Sequence, residues 1–187
     1  MTGVRLHLDG EEAALAAVDG MLRRARNPRG LFENIGMALV TSTQHRFEVG
    51  AAPDGSPWPL SLRVIAHGGK TLVETARLMR SVTSIASDSG VEVGTNVIYA
   101  AIQQFGGDIA HKARSGTVTF KRSKRSGEWL PGFRKKGRGT ETRAVSISAH
   151  TTRIPARPFI GLDDDDTIEI ARLAEDWLIG EATGGGP

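Results

Sequence analysis

The chain has 187 residues, 39% of them hydrophobic and 24% charged, with a net charge of +3. That is the ordinary composition of a soluble globular chain, one domain or one domain carrying an arm, and long enough to bury a core. The absence of cysteine excludes disulfides and thiolate metal sites and leaves the compartment unread.

No apolar run approaches the roughly 20 residues needed to cross a bilayer, so no membrane partner is expected. No basic region followed by an apolar core stands at the N-terminus, so no signal peptide is expected and a cytoplasmic product is the default.

Val4, Leu6 and Leu8 alternate with polar residues, as in a short strand or an N-terminal arm. Leu15, Val18, Leu22 and Ala25 recur at helical spacing, which predicts a helix over Glu11–Arg26. Acids at its start and arginines at its end suit the helix dipole, and Asn27-Pro28 ends it. A second helix is predicted from Gly30 to Phe47, with Leu31, Ile35, Leu39 and Phe47 inward. Gly36 inside it is unfavourable by about 1 kcal/mol relative to alanine, which points to a close helix contact there.

The stretch Pro53 to Pro59 is a turn-rich loop around Asp54-Gly55. Trp58, between two prolines, either plugs the core or anchors an interface. Ser61 to Ala66 has no decisive pattern. Gly68-Gly69 breaks the chain, and Lys70 to Val82 reads as a helix with Leu72, Leu78, Met79 and Val82 apolar. Ser81 to Ala86 and Val91 to Tyr99 read as strands around a turn at Asp88-Ser89-Gly90, the second broken by a turn at Gly94-Thr95-Asn96. The run Ile98 to Ile102, helix or strand, carries the chain to Phe105, and Gly106-Gly107 stops it.

Thr117, Val118 and Phe120, with Val145 and Ile147, predict a long hairpin. Its connection, Lys121 to Thr142, is too long for an ordinary hairpin loop and reads as a functional arm, a subunit contact or a mobile segment. Pro155 and Pro158 make a stiff extended connector that presents Arg157, with Ile154, Phe159 and Leu162 as anchors. Asp163 to Asp166 precede a last helix, Thr167 to Ile179, whose apolar face is Ile170, Leu173, Ala174, Trp177 and Leu178. Residues 183–187 read as a frayed tail. The fold class is therefore α+β: a mostly antiparallel sheet packed by about four helices, in a single domain of residues 1–187 with a long basic hairpin arm at about 111–150.

Candidate chemistry is sparse. Gly69-Lys70-Thr71 resembles the end of a phosphate loop, but Val64 stands where that loop needs glycine. The four consecutive aspartates point in different directions and suit a helix N-terminus better than a cation. The five histidines lack metal-ligand spacing, and no serine sits in a nucleophile elbow. No catalytic residue, metal or cofactor is expected.

Charge is the strongest feature. From His111 to Arg143 eleven Lys and Arg face only Glu128 and Glu141, a local +9 that leaves −6 for the rest. The candidate contacts are Lys121, Arg122, Lys124, Arg125, Arg134, Lys135, Lys136 and Arg138, with Trp129 and Phe133 able to stack on bases or anchor a protein. A solvated loop, an acidic protein surface and DNA all remain open. Arg157 is a structural anchor or, in a symmetric assembly, a bridge between subunits.

Arg46-Phe47, Pro53-Asp54-Gly55 and Trp58-Pro59-Leu60-Ser61 open an ordered set of motifs. Leu72 to Val82, Val93-Gly94-Thr95, Tyr99-Ala100, Gln104-Phe105-Gly106 and Ile154 to Leu162 follow. In that order they resemble the phage virion morphogenesis proteins of the Mu-like group, also called tail completion proteins. The chain has Thr75-Ala76 where that group usually has Thr-Gly, and Gln103 where it usually has His.

The resemblance implies a non-enzymatic virion protein at the head-proximal end of the tail. It would cap the tail tube and prepare it for the head. Related tail terminators form six-fold rings, so a hexameric homo-oligomer is expected. Its partners would be the tail tube protein, a head–tail connector or stopper, and DNA passing through the lumen. The location would be the host cytoplasm during assembly and the virion afterwards. Trp58, Tyr99, Phe105, Gly106, Pro155, Arg157, Pro158 and Phe159 are the expected structural or subunit contacts. A head-completion or stopper protein of the neck and a non-specific DNA-binding protein are the alternatives.

Overall fold

A computed structural model describes residues 11–123, 125–130, 137 and 140–180. The expected strand or arm at Val4–Leu8 and the tail at 183–187 lie outside them. The helices are α1 (Glu11–Arg26), α2 (Arg29–Val49), α3 (Leu62–His67), α4 (Arg77–Arg80), α5 (Ala100–Phe105) and α6 (Asp164–Ile179). The strands are β1 (Val82–Ala86), β2 (Val91–Thr95), β3 (Gly107–His111), β4 (Arg114–Lys121), β5 (Thr140–Ile147) and β6 (His150–Ile154). The fold is α+β. Its strands form three separate antiparallel ladders, β1–β2, β3–β6 and β4–β5. The chain divides into two compact units, one within Met1–Phe105 and Pro155–Pro187, the other within Gly106–Ile154.

The first unit is built on α2. Its last turn delivers Phe47 to the core, and Gly50, left-handed at φ 76°, ends it with an N–H bond to the Arg46 carbonyl. Phe47 meets Trp58 edge-on at 5.3 Å and Phe159 at 5.2 Å. Leu78, Val82, Val97 and Ala100 complete the cluster. Trp58 is 4% exposed and its indole Nε1 donates to the Pro158 carbonyl at 2.8 Å, so it is a core plug whose one polar atom is satisfied. The close approach at Gly36 is to the β1–β2 hairpin and not to a helix. A Cβ there would stand 2.7 Å from Ser84 Oγ and 2.9 Å from Val91 Cγ2.

One expected helix is corrected, and two open stretches are settled. Lys70 to Val82 is not one helix. Leu72 and Ala76 adopt φ of 62° and 56°, which no right-handed helix contains, and only Arg77–Arg80 is helical. Ser61 to Ala66 does hold a helix, α3, capped by Ser61 Oγ accepting the Val64 N–H at 3.3 Å. Strand β2 stops at Thr95, within the turn expected at Gly94-Thr95-Asn96, and no strand resumes from Val97 to Tyr99. The Thr95 hydroxyl accepts the Val97 N–H at 3.2 Å and turns the chain into α5, which settles Ile98 to Ile102 as the approach to a short helix.

Helix α6 begins at Asp164, a turn earlier than expected. Asp163 accepts the Asp166 N–H at 2.7 Å while Asp166 accepts the Asp163 N–H at 3.1 Å, a reciprocal capping box. The far end of α6 packs on α1 and α2. Trp177 Nε1 donates to the Arg24 carbonyl at 3.2 Å, and a Cβ on Gly30 would lie 2.5 Å from the Trp177 ring.

In the second unit, β4 pairs with β5 from Arg114↔Ile147 to Lys121↔Thr140, the long hairpin foreseen and longer than foreseen. Strand alternation puts Val118, Phe120, Val145 and Ile147 on one face, and Ser115, Thr117, Thr119, Thr142 and Ser146 on the other. Among the described residues of 106–154 none is buried. A two-stranded ribbon without a buried face is marginally stable by itself.

Candidate interaction surfaces

The motif residues of the first unit gather around the extended segment 155–162. Arg46, buried, donates from NH1 to the Gly161 carbonyl at 2.8 Å and from NH2 to Asp163 Oδ2 at 2.8 Å. NH2 also donates to buried Asp166. Two carboxylates thus neutralise one buried guanidinium, and the same carboxylates cap α6. Hydrogen bonding from Arg46 holds the Asp163 carboxyl below its ordinary value. From the other side, Gln104 grips the segment like a missing strand. Its Oε1 accepts the N–H groups of Phe159 at 2.9 Å and Ile160 at 3.1 Å, and its Nε2 donates to the Ile160 carbonyl at 2.8 Å.

Arg157 is buried between Pro59 and α5. Its Nε–H donates to the Pro59 carbonyl at 2.8 Å, NH1 donates to Gln103 Oε1 at 3.1 Å, and its backbone N–H donates to the Gln103 carbonyl at 2.7 Å. It makes no ion pair among the described residues, and burial lowers its pKa from the ordinary arginine value. Pro155 and Pro158 hold the backbone around it extended.

The second unit presents the basic segment. After β4 the chain turns at Ser123 to Glu128 and returns, so that the Leu130 N–H bonds the Lys121 carbonyl at 2.9 Å. Trp129 lands beside Phe120, ring centroids 6.1 Å apart, with the Arg122 and Arg143 guanidinium carbons 5.2 and 4.8 Å from its ring centroid. These are cation–π distances at a half-exposed tryptophan. Of the candidate contacts, Lys121, Arg122, Arg125 and Trp129 are described. Lys124, Phe133, Arg134, Lys135, Lys136 and Arg138 lie outside the described residues.

The sequence matches the phage virion morphogenesis family over residues 9–179. The chain belongs to that family. It is also 26% identical, over 94% of its own length and 96% of the relative's, to the Mu-like prophage FluMu G protein 2 of Haemophilus influenzae. No solved structure matches it. Family membership gives the chain a role in building a phage particle, as a virion-associated structural protein.

Within this family member the motif residues split by burial. Trp58, Arg157 and Phe159 are buried, and Pro158 is partly so. Tyr99, Phe105 and Pro155 are exposed, and Gly106 takes the left-handed φ of 70° that lets the chain leave α5. The sequence reading named Gln103 and Gln104 only as motif positions with no role, and the structure shows them holding the Arg157 segment. One feature escaped it altogether. His111 and His150, thirty-nine positions apart in sequence, stack across the β3–β6 ladder with ring centroids 4.7 Å apart. Only the pairing of those strands could have revealed it. No helix among the described residues is long and apolar enough to cross a membrane.

Proposed function

We propose that this virion morphogenesis protein is a tail terminator, closing the head-proximal end of the tail tube as a six-subunit ring and making it ready for the head. The observation that carries the reading is the ribbon of residues 106–154. It has eight-residue strands, yet none of its described residues is buried, while the other unit has a dense aromatic core. A segment of that kind gains its cover from other protein. A closed ring supplies it, matches the end of a rotationally symmetric tube and leaves no open end. The likeness to a Mu-like prophage protein agrees with a tailed-phage setting. The tail tube protein and a head connector or stopper are then the partners on the two faces.

Native mass spectrometry with negative-stain imaging, on protein alone and with purified tail tubes, tests this. Six-subunit rings seated on tube ends are the expected result. Tubes that never acquire the protein would overturn the reading and favour a stopper or head-completion protein.

A second reading has its own observation. Trp129, flanked by Arg122 and Arg143, is a stacking platform inside a +9 segment, as expected of a surface facing DNA in the lumen or binding DNA by itself. It predicts DNA affinity that falls steeply with salt and drops on Trp129→Ala. Salt-independent or absent binding removes it.

A further inference from the structure

We infer that the surface around Arg157 is one half of a head-to-tail contact between copies of this chain, the other half being the start of α6, where Asp164 or Asp165 of the next copy supplies the carboxylate that Arg157 lacks. The inference rests on the ring reading above and names the side chains that would build it.

Arg157 is 5% exposed, and both side-chain acceptors it has are neutral, a carbonyl and an amide. Arg46, equally buried, receives two carboxylates, and exposed Arg172 also receives two. A guanidinium has five N–H donors, and a buried cation without a counter-charge is costly. Arg157 therefore holds donors in reserve beside a surface that is itself unfinished. Ile98, one turn before Ala101 and Ile102 of α5, is 99% exposed, and Phe105 at the end of α5 is 78% exposed. Leu60 and Leu62, just beyond the Pro59 carbonyl that Arg157 binds, are exposed too. Exposed apolar residues that neighbour, along the chain, the groups binding a desolvated arginine fit an interface hot spot.

Charge selects the occupant. The ribbon of residues 106–154 carries twelve Lys and Arg against three acids and repels Arg157. The start of α6 does the opposite. Asp163 and Asp166 are committed to Arg46 and to the capping box. Asp164 and Asp165 have no partner among the described residues, and exposed Leu162 and Ile168 flank them. One patch offers apolar surface around an unneutralised cation, and the other offers apolar surface around unpaired carboxylates. Two different patches of one chain make a heterologous contact, the kind that closes into rings.

The test uses the full chain with two variants at exposed positions, Ile98→Lys on the arginine face and Asp164→Lys with Asp165→Lys on the aspartate face. Native mass spectrometry should show assemblies for the wild type and monomers for each variant, with the thermal midpoint unchanged for Ile98→Lys and lowered only slightly for the double variant, which loses two acids from a helix N-terminus. An equimolar mixture of the two should stop at dimers, since each copy then has one intact face. Wild-type assembly by either variant alone, or a mixture that rebuilds the full assembly, overturns the pairing and leaves the ring reading standing. A wild type that stays monomeric also overturns it, while tube capping decides the ring reading separately.

Discussion

Ala76 holds a left-handed conformation, φ 56° and ψ 14°, directly before α4. A Cβ in that region is strained by about 1–2 kcal/mol, and glycine is not. Ala76→Gly is expected to stabilise it by about 1 kcal/mol, raising the melting midpoint by roughly 2–4 °C. An unchanged or lower midpoint by calorimetry would contradict the strain. Asp163 gives a pH prediction at the same scale. Its folded pKa is depressed, first by the hydrogen bond from Arg46. It therefore stabilises the fold above its unfolded value of about 3.9, and that contribution is lost as pH falls through the lower folded value. Asp163→Asn should melt lower at neutral pH and show a shallower loss of stability as pH falls below about 4. Parallel melting curves for the two proteins across that window would show that the carboxylate is not coupled to folding.

At the scale of elements, Gln104 couples α5 to the segment that carries Phe159 into the core. Its amide satisfies two N–H groups and one carbonyl of an extended stretch that belongs to none of the described ladders. Gln104→Ala leaves those backbone groups partly buried and unbonded, at about 1–3 kcal/mol for each group that water does not reach. Urea unfolding should show a loss of at least about 2 kcal/mol, whereas Gln103→Ala, which removes one side-chain acceptor, should cost less. Equal costs would mean that the segment is held by packing alone. This element also marks the limit of what the sequence told. Helices α1, α2 and α6 were legible because their apolar residues recur at helical spacing, and the aspartates announced a cap. Helix α4 was misjudged because the left-handed turns at Leu72 and Ala76 are set by tertiary packing, and neither residue favours them. Helix α5 is too short for periodicity to separate it from a strand. The β3–β6 ladder was missed because its strands are distant in sequence and nearly without apolar alternation.

For the whole molecule, the contrast between the two units makes a prediction about dynamics. The unit holding Phe47, Trp58 and Phe159 has a core, so opening its amides requires breaking that core. The described residues of 106–154 include none that is buried, and the two ladders there, β3–β6 and β4–β5, each have two strands. Their amides can open without disturbing apolar packing. Hydrogen exchange on the unassembled protein should therefore show two classes, with amides of β3 to β6 exchanging orders of magnitude faster than those of α2 and β1. In assemblies on tail tubes the fast class should become protected while the slow class barely changes, because assembly is then what gives the ribbon its buried face. Equal protection of the two classes in the free protein would mean that the ribbon is stable by itself, and the argument that neighbouring protein must cover it would fail. Fast exchange that persists in the assembled particle would instead place the ribbon in solvent or against DNA, where salt-dependent contacts form without burying strand amides.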